Sequence, residues 1–552
     1  MRRRSLTASL FSIGLLVVAV PDSPAKPPAL TGFFPAGAAR GQSLTVTMSG
    51  TFERWPVKCW VEGAGLSVKP GEEKGKLSVQ VADDAQPGVR WVRVYDDEGA
   101  TSLRPFLIGA LPEVMETEPN DDPRHAQAID PARATVNGRL AKSDDVDGYA
   151  VNLEAGQVLA ADLEADRNIG SPMDAVLQVA STKGFILAQN NDAVGRDPRI
   201  LFQAPAKGTY VVRLFAFPAT PDSTIRFAGG DAYIYRLTLT TGGFIEHAFP
   251  LAVSAESPTS VAAVGPNIAE ADSVLVVPAD AASDLIMLTH PLLAGSAQVR
   301  RVGGSLEAEV EPNDPASPQT FVDRGAVSGR IDPPGDRDAY RIAMKKDEKR
   351  RFRLESRAFG LPLDAVLQVL DADGKALAEA DDVGASIDPE ITFTAPADGD
   401  FRVVVRDLNR RGGPRYAYLL TATVPEPDFE LKLPADLFEA TPGKETKIVV
   451  TVARKDGYND AIEVTAEGLP EGVTAAKVVS QPSDDSAKSV TLEIRAEAGP
   501  ASGPFRIVAN PAEGKGRRRV ALAKVAGFEV ETDRPWLTIL PAPTPAPEPK
   551  KP

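Results

Sequence analysis

A chain of 552 residues is too long for a single hydrophobic core, and about three to five domains are expected at this length. With 43% hydrophobic and 25% charged residues it has the composition of a folded chain, while 45 Gly and 48 Pro favour turn-rich β-structure over long helices. A net charge of −15 argues against a nucleic-acid partner and for cations, and one cysteine with three histidines argues against zinc-finger, iron–sulfur and disulfide frameworks.

At the N-terminus, Arg2, Arg3 and Arg4 precede an apolar run from Leu10 to Val20, too short to span a bilayer. Ser23-Pro24-Ala25 then supplies the small residues of a cleavage site, so residues 1–25 read as a signal peptide. The mature protein is expected to be secreted, periplasmic or at the cell surface. No later run is apolar enough for a membrane span after cleavage. Residues 26–111 read as a small sandwich, with Phe34-Pro35 early and a strand from Ser102 to Leu107 late. Residues 243–306 read as a degenerate second one, with Phe249-Pro250 in the place of Phe34-Pro35.

Between and after these lie two copies of a larger unit, residues 112–242 and 307–424. Asp174-Ala-Val-Leu-Gln-Val179 returns as Asp364-Ala-Val-Leu-Gln-Val369, Asp147-Gly-Tyr149 as Asp338-Ala-Tyr340, and Tyr233-Ile-Tyr235 as Tyr416-Ala-Tyr418. The separations are 190, 191 and 183 residues, the mark of a duplicated domain with a shortened hairpin in the second copy. Tyr149, Val151 and Leu153, like Tyr340, Ile342 and Met344, occupy alternate positions, which is the half-buried strand pattern. Residues 425–529 read as a further immunoglobulin-like sandwich and 530–552 as a Pro-rich tail. The fold class is therefore all-β, a row of tandem jelly-roll and immunoglobulin-like sandwiches joined by exposed linkers.

The chemistry concentrates at the start of each large unit. Glu116, Glu118 and Asn120 share one face if the chain is extended, with Asp121 next; Glu309, Glu311, Asn313 and Asp314 repeat the row. About 25 residues on, each copy has an acidic turn: Asp144, Asp145 and Asp147 in the first, Asp336 and Asp338 in the second. One reading is a solvated acidic linker beside a solvated turn. The other is a calcium site, since calcium takes six to eight oxygen ligands. Reproduction of ligand-type residues in both copies favours calcium.

These motifs, with Ala204-Pro-Ala-Lys-Gly208 and Ala395-Pro-Ala-Asp-Gly399, resemble the bacterial pre-peptidase C-terminal (PPC) domain. That family is a jelly-roll sandwich found beside the catalytic domains of secreted peptidases and is similar to the collagen-binding domains of bacterial collagenases. The resemblance implies calcium ligation by Glu116, Glu118, Asn120, Asp121, Asp144 and Asp147, and by Glu309, Glu311, Asn313, Asp314, Asp336 and Asp338. In the first copy either Asp144 or Asp145 fills the turn position. Residues 26–111 look like a TIG-type immunoglobulin domain.

No HExxH, G-x-S-x-G or P-loop pattern is present, and no histidine lies near Cys59 in sequence. The chain is therefore expected to lack catalysis. Two functions fit: calcium-stabilised structural or adhesive binding of an extracellular protein or polysaccharide, or an accessory role beside a secreted hydrolase. The basic stretch Lys345–Arg353 reads as a solvated hairpin edge or as a patch for acidic glycans.

Overall fold

The computed structural model describes residues 26–541 apart from 221–225, 256–259, 278–283, 322–323, 385, 498, 500 and 513–515. The signal-peptide reading of residues 1–25 lies outside the described residues. No helix among the described residues is long and apolar enough to cross a membrane.

The architecture is all-β. In residues 29–109, a sheet of Ala29–Phe34, Ser43–Thr51, Lys76–Val81 and Leu66–Pro70 faces one built on Arg104–Gly109, Gly88–Asp96 and Lys58–Glu62. The first large unit has two five-stranded sheets. One runs Glu113–Met115, Arg133–Arg139, Ile234–Thr240, Val158–Glu164, Arg199–Gln203; the other runs Gln127–Ala128, Asp147–Leu153, Gly208–Pro218, Met173–Ser181, Ile186–Asn190. Setting aside the short parallel strand at one edge of each, this is the strand order of a jelly roll. The second unit repeats it strand for strand, from Leu306–Ala308 to Ala417–Thr423. The shorter repeat distance at the closing tyrosines has its cause here: Gly208–Pro218 spans 11 residues, its counterpart Gly399–Asp407 only 9, and the loop that follows is also shorter.

The alternation seen in sequence is the alternation of burial. Tyr149, Val151 and Leu153 point into one core, and Tyr340, Ile342 and Met344 into its counterpart. Each pleat sends every second side chain inward, and the sandwich closes over that face.

Two expectations need correction. The Pro-rich tail does not begin at 530: Glu531–Thr532 and Trp536–Ile539 are strands, and Trp536, Leu537 and Ile539 are buried. The apolar Trp536–Ile539 run completes the last sandwich by pairing with Leu437–Ala440 and Ala501–Pro504. Nor are the sandwiches separate beads. On strand Gly88–Asp96, Val92 and Val94 face the local core, while Trp91, Arg93 and Tyr95 face the C-terminal sandwich. Arg93, fully buried, donates from Nη2 to Asp436 Oδ2 at 2.9 Å and from Nη1 to the Thr101 carbonyl at 2.6 Å. The Trp60 and Trp536 rings meet edge-on at 5.9 Å, and Trp91 and Phe528 at 5.2 Å. Arg351 of the second jelly roll donates to Asp456 of the C-terminal sandwich at 2.6 Å. The first and last sandwiches are thus clasped together.

Removing one partner of a buried ion pair strands the other charge, at a cost of about 3–5 kcal/mol. Asp436→Ala is expected to open the clasp, so that limited proteolysis releases a C-terminal fragment that the parent retains. A second prediction concerns His247, buried on strand His247–Phe249 of the middle sandwich, with neither ring nitrogen hydrogen-bonded. Burial, then Arg330, Arg415 and Arg199, pushes its pKa down to about 4. A depressed histidine pKa means that the unfolded chain binds the proton first. The neutral ring's advantage is complete above the ordinary value of about 6.5 and is lost as pH falls towards 4, by roughly 3 kcal/mol at most. Denaturant unfolding from pH 7 to pH 4.5 should show this loss, and His247→Gln should reduce it.

Candidate metal centres

Each jelly roll begins with a short strand parallel to its neighbour, Glu113–Met115 beside Arg133–Arg139 and Leu306–Ala308 beside Ala326–Arg330. The acidic row follows at once. It is not a pleated strand as its spacing suggests. The Glu118–Pro119 and Glu311–Pro312 peptides are cis, and the chain bends over the start of the next long strand. Convergence therefore comes from a bend held by hydrogen bonds. Glu116 Oε2 accepts from the Arg139 amide and Glu309 Oε2 from the Arg330 amide, both at 2.7 Å. The Asn120 amide N–H donates to Glu118 Oε2 and that of Asn313 to Glu311 Oε2, both at 2.9 Å. Asn313 Nδ2 reaches Glu309 Oε1 at 2.9 Å.

Carboxylate oxygens of Glu116, Glu118 and Asp147 lie within 4.8 Å of one another, as do those of Glu309, Glu311 and Asp338. Glu118, Asp121 and Asp145 form an overlapping third group. Behind each cluster stands a tyrosine pair. Tyr235 donates to Asp147 Oδ2 at 2.5 Å and touches the Tyr149 hydroxyl; Tyr418 donates to Asp338 Oδ2 at 2.6 Å and lies 2.5 Å from the Tyr340 hydroxyl. Gly138 and Gly329 make room, since a Cβ there would collide with the Tyr235 or Tyr418 ring.

The donor set fits a hard cation. Asn120 Oδ1, Asp145 Oδ1 and Asp147 Oδ1 are buried without hydrogen-bond partners, and so are Asn313 Oδ1 and Asp338 Oδ1. Buried oxygens are normally paired, and here the same two, one from Asn and one from Asp, are unpaired in both copies. Burial and the adjacent Glu116 push Asp147 up to about 10, and burial and Glu309 do the same to Asp338. A cation would reverse that penalty by supplying the countercharge.

Not every expected ligand is drawn in. Asp144 is exposed in a turn with φ of 66° and belongs to no cluster; the buried Asp145 takes its place. Asp145 Oδ2 accepts from the Ala141 amide as Asp336 Oδ2 accepts from that of Asp332, so these two aspartates are equivalent turn-closers. Asp336 stands outside the triad of the second copy, as does Asp314, whose Oδ1 accepts from the Ala316 amide at 2.7 Å. The tyrosine pairs and the Arg139 and Arg330 amides were not singled out from the sequence as parts of the site. Their signal was the repeated Gly-Arg and Tyr-x-Tyr at matching places. The loop acids Asp197 and Asp388 build local structure, accepting from the Asp166 and Arg357 amides, each at 2.9 Å. In the basic stretch, Lys345 meets Asp398 at 3.2 Å and Arg351 meets Asp456 at 2.6 Å, so those charges are matched within the chain.

No family model matches the chain. A segment of 141 residues is 34% identical to a probable subtilase-type serine protease of Deinococcus radiodurans, covering 25% of this chain and 18% of that protein. Less than a fifth of the curated relative is thus spanned. Among solved structures, fibronectin(III)-like modules of Clostridium thermocellum CbhA give a TM-score of 0.14 at 12% identity, covering 37% of this chain and 95% of theirs. A catalytic domain with two CBM51 domains from Clostridium perfringens ZmpB gives 0.14 at 10% identity, covering 73% and 55%. Neither score amounts to a shared overall arrangement.

The tyrosine hydroxyls lead to a graded prediction. Glu309 Oε1 lies 3.1 Å from the Tyr418 hydroxyl as a second acceptor for its one proton, and Tyr235 has no such second acceptor among the described hydrogen bonds. Leaving a buried acceptor without its donor costs about 1–3 kcal/mol. Tyr418→Phe is expected to destabilise its jelly roll by that order, and more than Tyr235→Phe does, as read by denaturant unfolding in chelator.

Proposed function

We propose that this chain is a non-catalytic, exported protein whose two jelly rolls are calcium-stabilised modules of the pre-peptidase C-terminal type, serving structural or adhesive binding of an extracellular protein or polysaccharide. The observation that carries the reading is a carboxylate cluster built twice around a buried Asp, with the same Asn and Asp oxygens left unpartnered. Glu116, Glu118, Asn120 and Asp147, extended by Asp121 and Asp145, would hold the ion in the first copy; Glu309, Glu311, Asn313 and Asp338 would hold it in the second. The ion supplies positive charge, and the chain's residues fasten the acidic segment to the sandwich. Calcium suits this all-oxygen set better than magnesium, which demands compact octahedral geometry and gives up its waters reluctantly.

A second reading is favoured by the partial likeness to a probable subtilase-type serine protease: these sandwiches act as the accessory or targeting part of a secreted peptidase. Co-purification with a secreted hydrolase of the source cell would favour it over free-standing adhesion.

The test of the calcium reading is thermal melting in chelator, calcium and magnesium. A ligand that binds only the folded state adds about 2.7 kcal/mol at 100 times its dissociation constant. Calcium is expected to raise the melting transitions of both jelly rolls and magnesium to do so much less. Glu118→Gln should blunt the response of the first jelly roll and Glu311→Gln that of the second. Equal calcium shifts in parent and variants would leave the clusters as plain acidic surface.

A further inference from the structure

We propose that the strand Ile186–Asn190 is a homotypic docking edge, which pairs antiparallel with the same strand of a second copy of the chain. It is the outermost strand of its sheet, with no strand beyond it among the described residues. An outer edge offers unpaired backbone donors and acceptors, and natural sheets usually block it with charge. Here the opposite holds. Phe185 is 69% exposed, Ile186 52% and Leu187 46%. From Gly184 to Asn191 the segment carries no charge, in a chain of net charge −15.

The second jelly roll provides an internal control. Its edge strand Ala376–Ala380 has the same place, the same register and the same irregularity against its neighbour: Gln178 opposes Gln189 in the first copy and Gln368 opposes Glu379 in the second. The backbone is thus repeated while the side chains change. Lys375 stands where the first copy has Phe185, Ala376 where it has Ile186, and Glu379 where it has Gln189. One copy carries charges that discourage edge pairing, and the other carries large apolar and neutral groups in their place.

The occupant that fits is the strand itself. Antiparallel self-pairing centred on Ala188 sets Ile186 against Asn190 and Leu187 against Gln189, so no like charges meet across the two-fold. Pairing with the charged strand of the second jelly roll would be head-to-tail and open-ended, whereas self-pairing closes into a dimer. A five-residue edge buries well under the roughly 1,000 Å² of a stable interface, so the dimer is weak and concentration-dependent.

The test is sedimentation equilibrium of the full chain in reducing buffer, from about 1 to about 200 μM, a range matched to a weak interface. The parent is expected to shift towards dimer across this range. The double variant Phe185→Lys, Gln189→Glu copies residues that the second jelly roll already tolerates on the same backbone. It should stay monomeric while melting as the parent does. Ile186→Lys, made alone, should also be monomeric. A parent that stays monomeric throughout, or a double variant that dimerises as strongly as the parent, overturns the proposal.

Discussion

A carboxylate taken out of water must find positive charge or a proton, and that constraint organises both jelly rolls. Asp147 and Asp338 sit at the start of a core strand, each with one oxygen on a tyrosine hydroxyl and the other without a partner. The cost of burying them is offset only in part by those tyrosines. The glutamates of the bent segment then add like charge at the same place. Such a cluster is poor as a bare structural element and good as a cation cradle.

The cluster is also tied to the joint between domains. The Arg139 amide holds Glu116, and the guanidinium of the same residue lies 5.0 Å from the ring centroid of Phe34 in the first small sandwich. Arg330 repeats this, holding Glu309 with its amide and lying 4.3 Å from the Phe249 ring. Two weak sequence signals, the Phe-Pro pair and the acidic row, thus belong to one piece of structure. The clasp through Arg93 and Asp436 then brings the last sandwich back to the first.

Much of the fold was legible because β-sandwiches write their burial into alternate residues and because duplication wrote the large unit twice. What local pattern omitted were the events set by distant partners. Trp91, Arg93 and Tyr95 look like the solvent side of a strand until the C-terminal sandwich covers them. The strand Trp536–Ile539 stands between Pro535 and the Pro-rich end that starts at Pro541, and its partners lie up to about a hundred residues away. At the site, residue types were readable and the register was not. Asp144 and Asp145 are adjacent acids, and only the left-handed turn at Asp144 decides that Asp145 faces inward. Likewise Asp314 and Asp336 matched a ligand pattern but serve the turns around them.

On the proposed function, each cluster would hold one calcium through its unpartnered Asn and Asp oxygens. Calcium titration by calorimetry on the full chain, beside Asn120→Ala and Asn313→Ala, tests it most directly. Saturable binding by both jelly rolls is expected, with loss of one jelly roll's binding in each single variant and of both in the double variant. Absence of binding by the parent, or unchanged binding by the double variant, would contradict it.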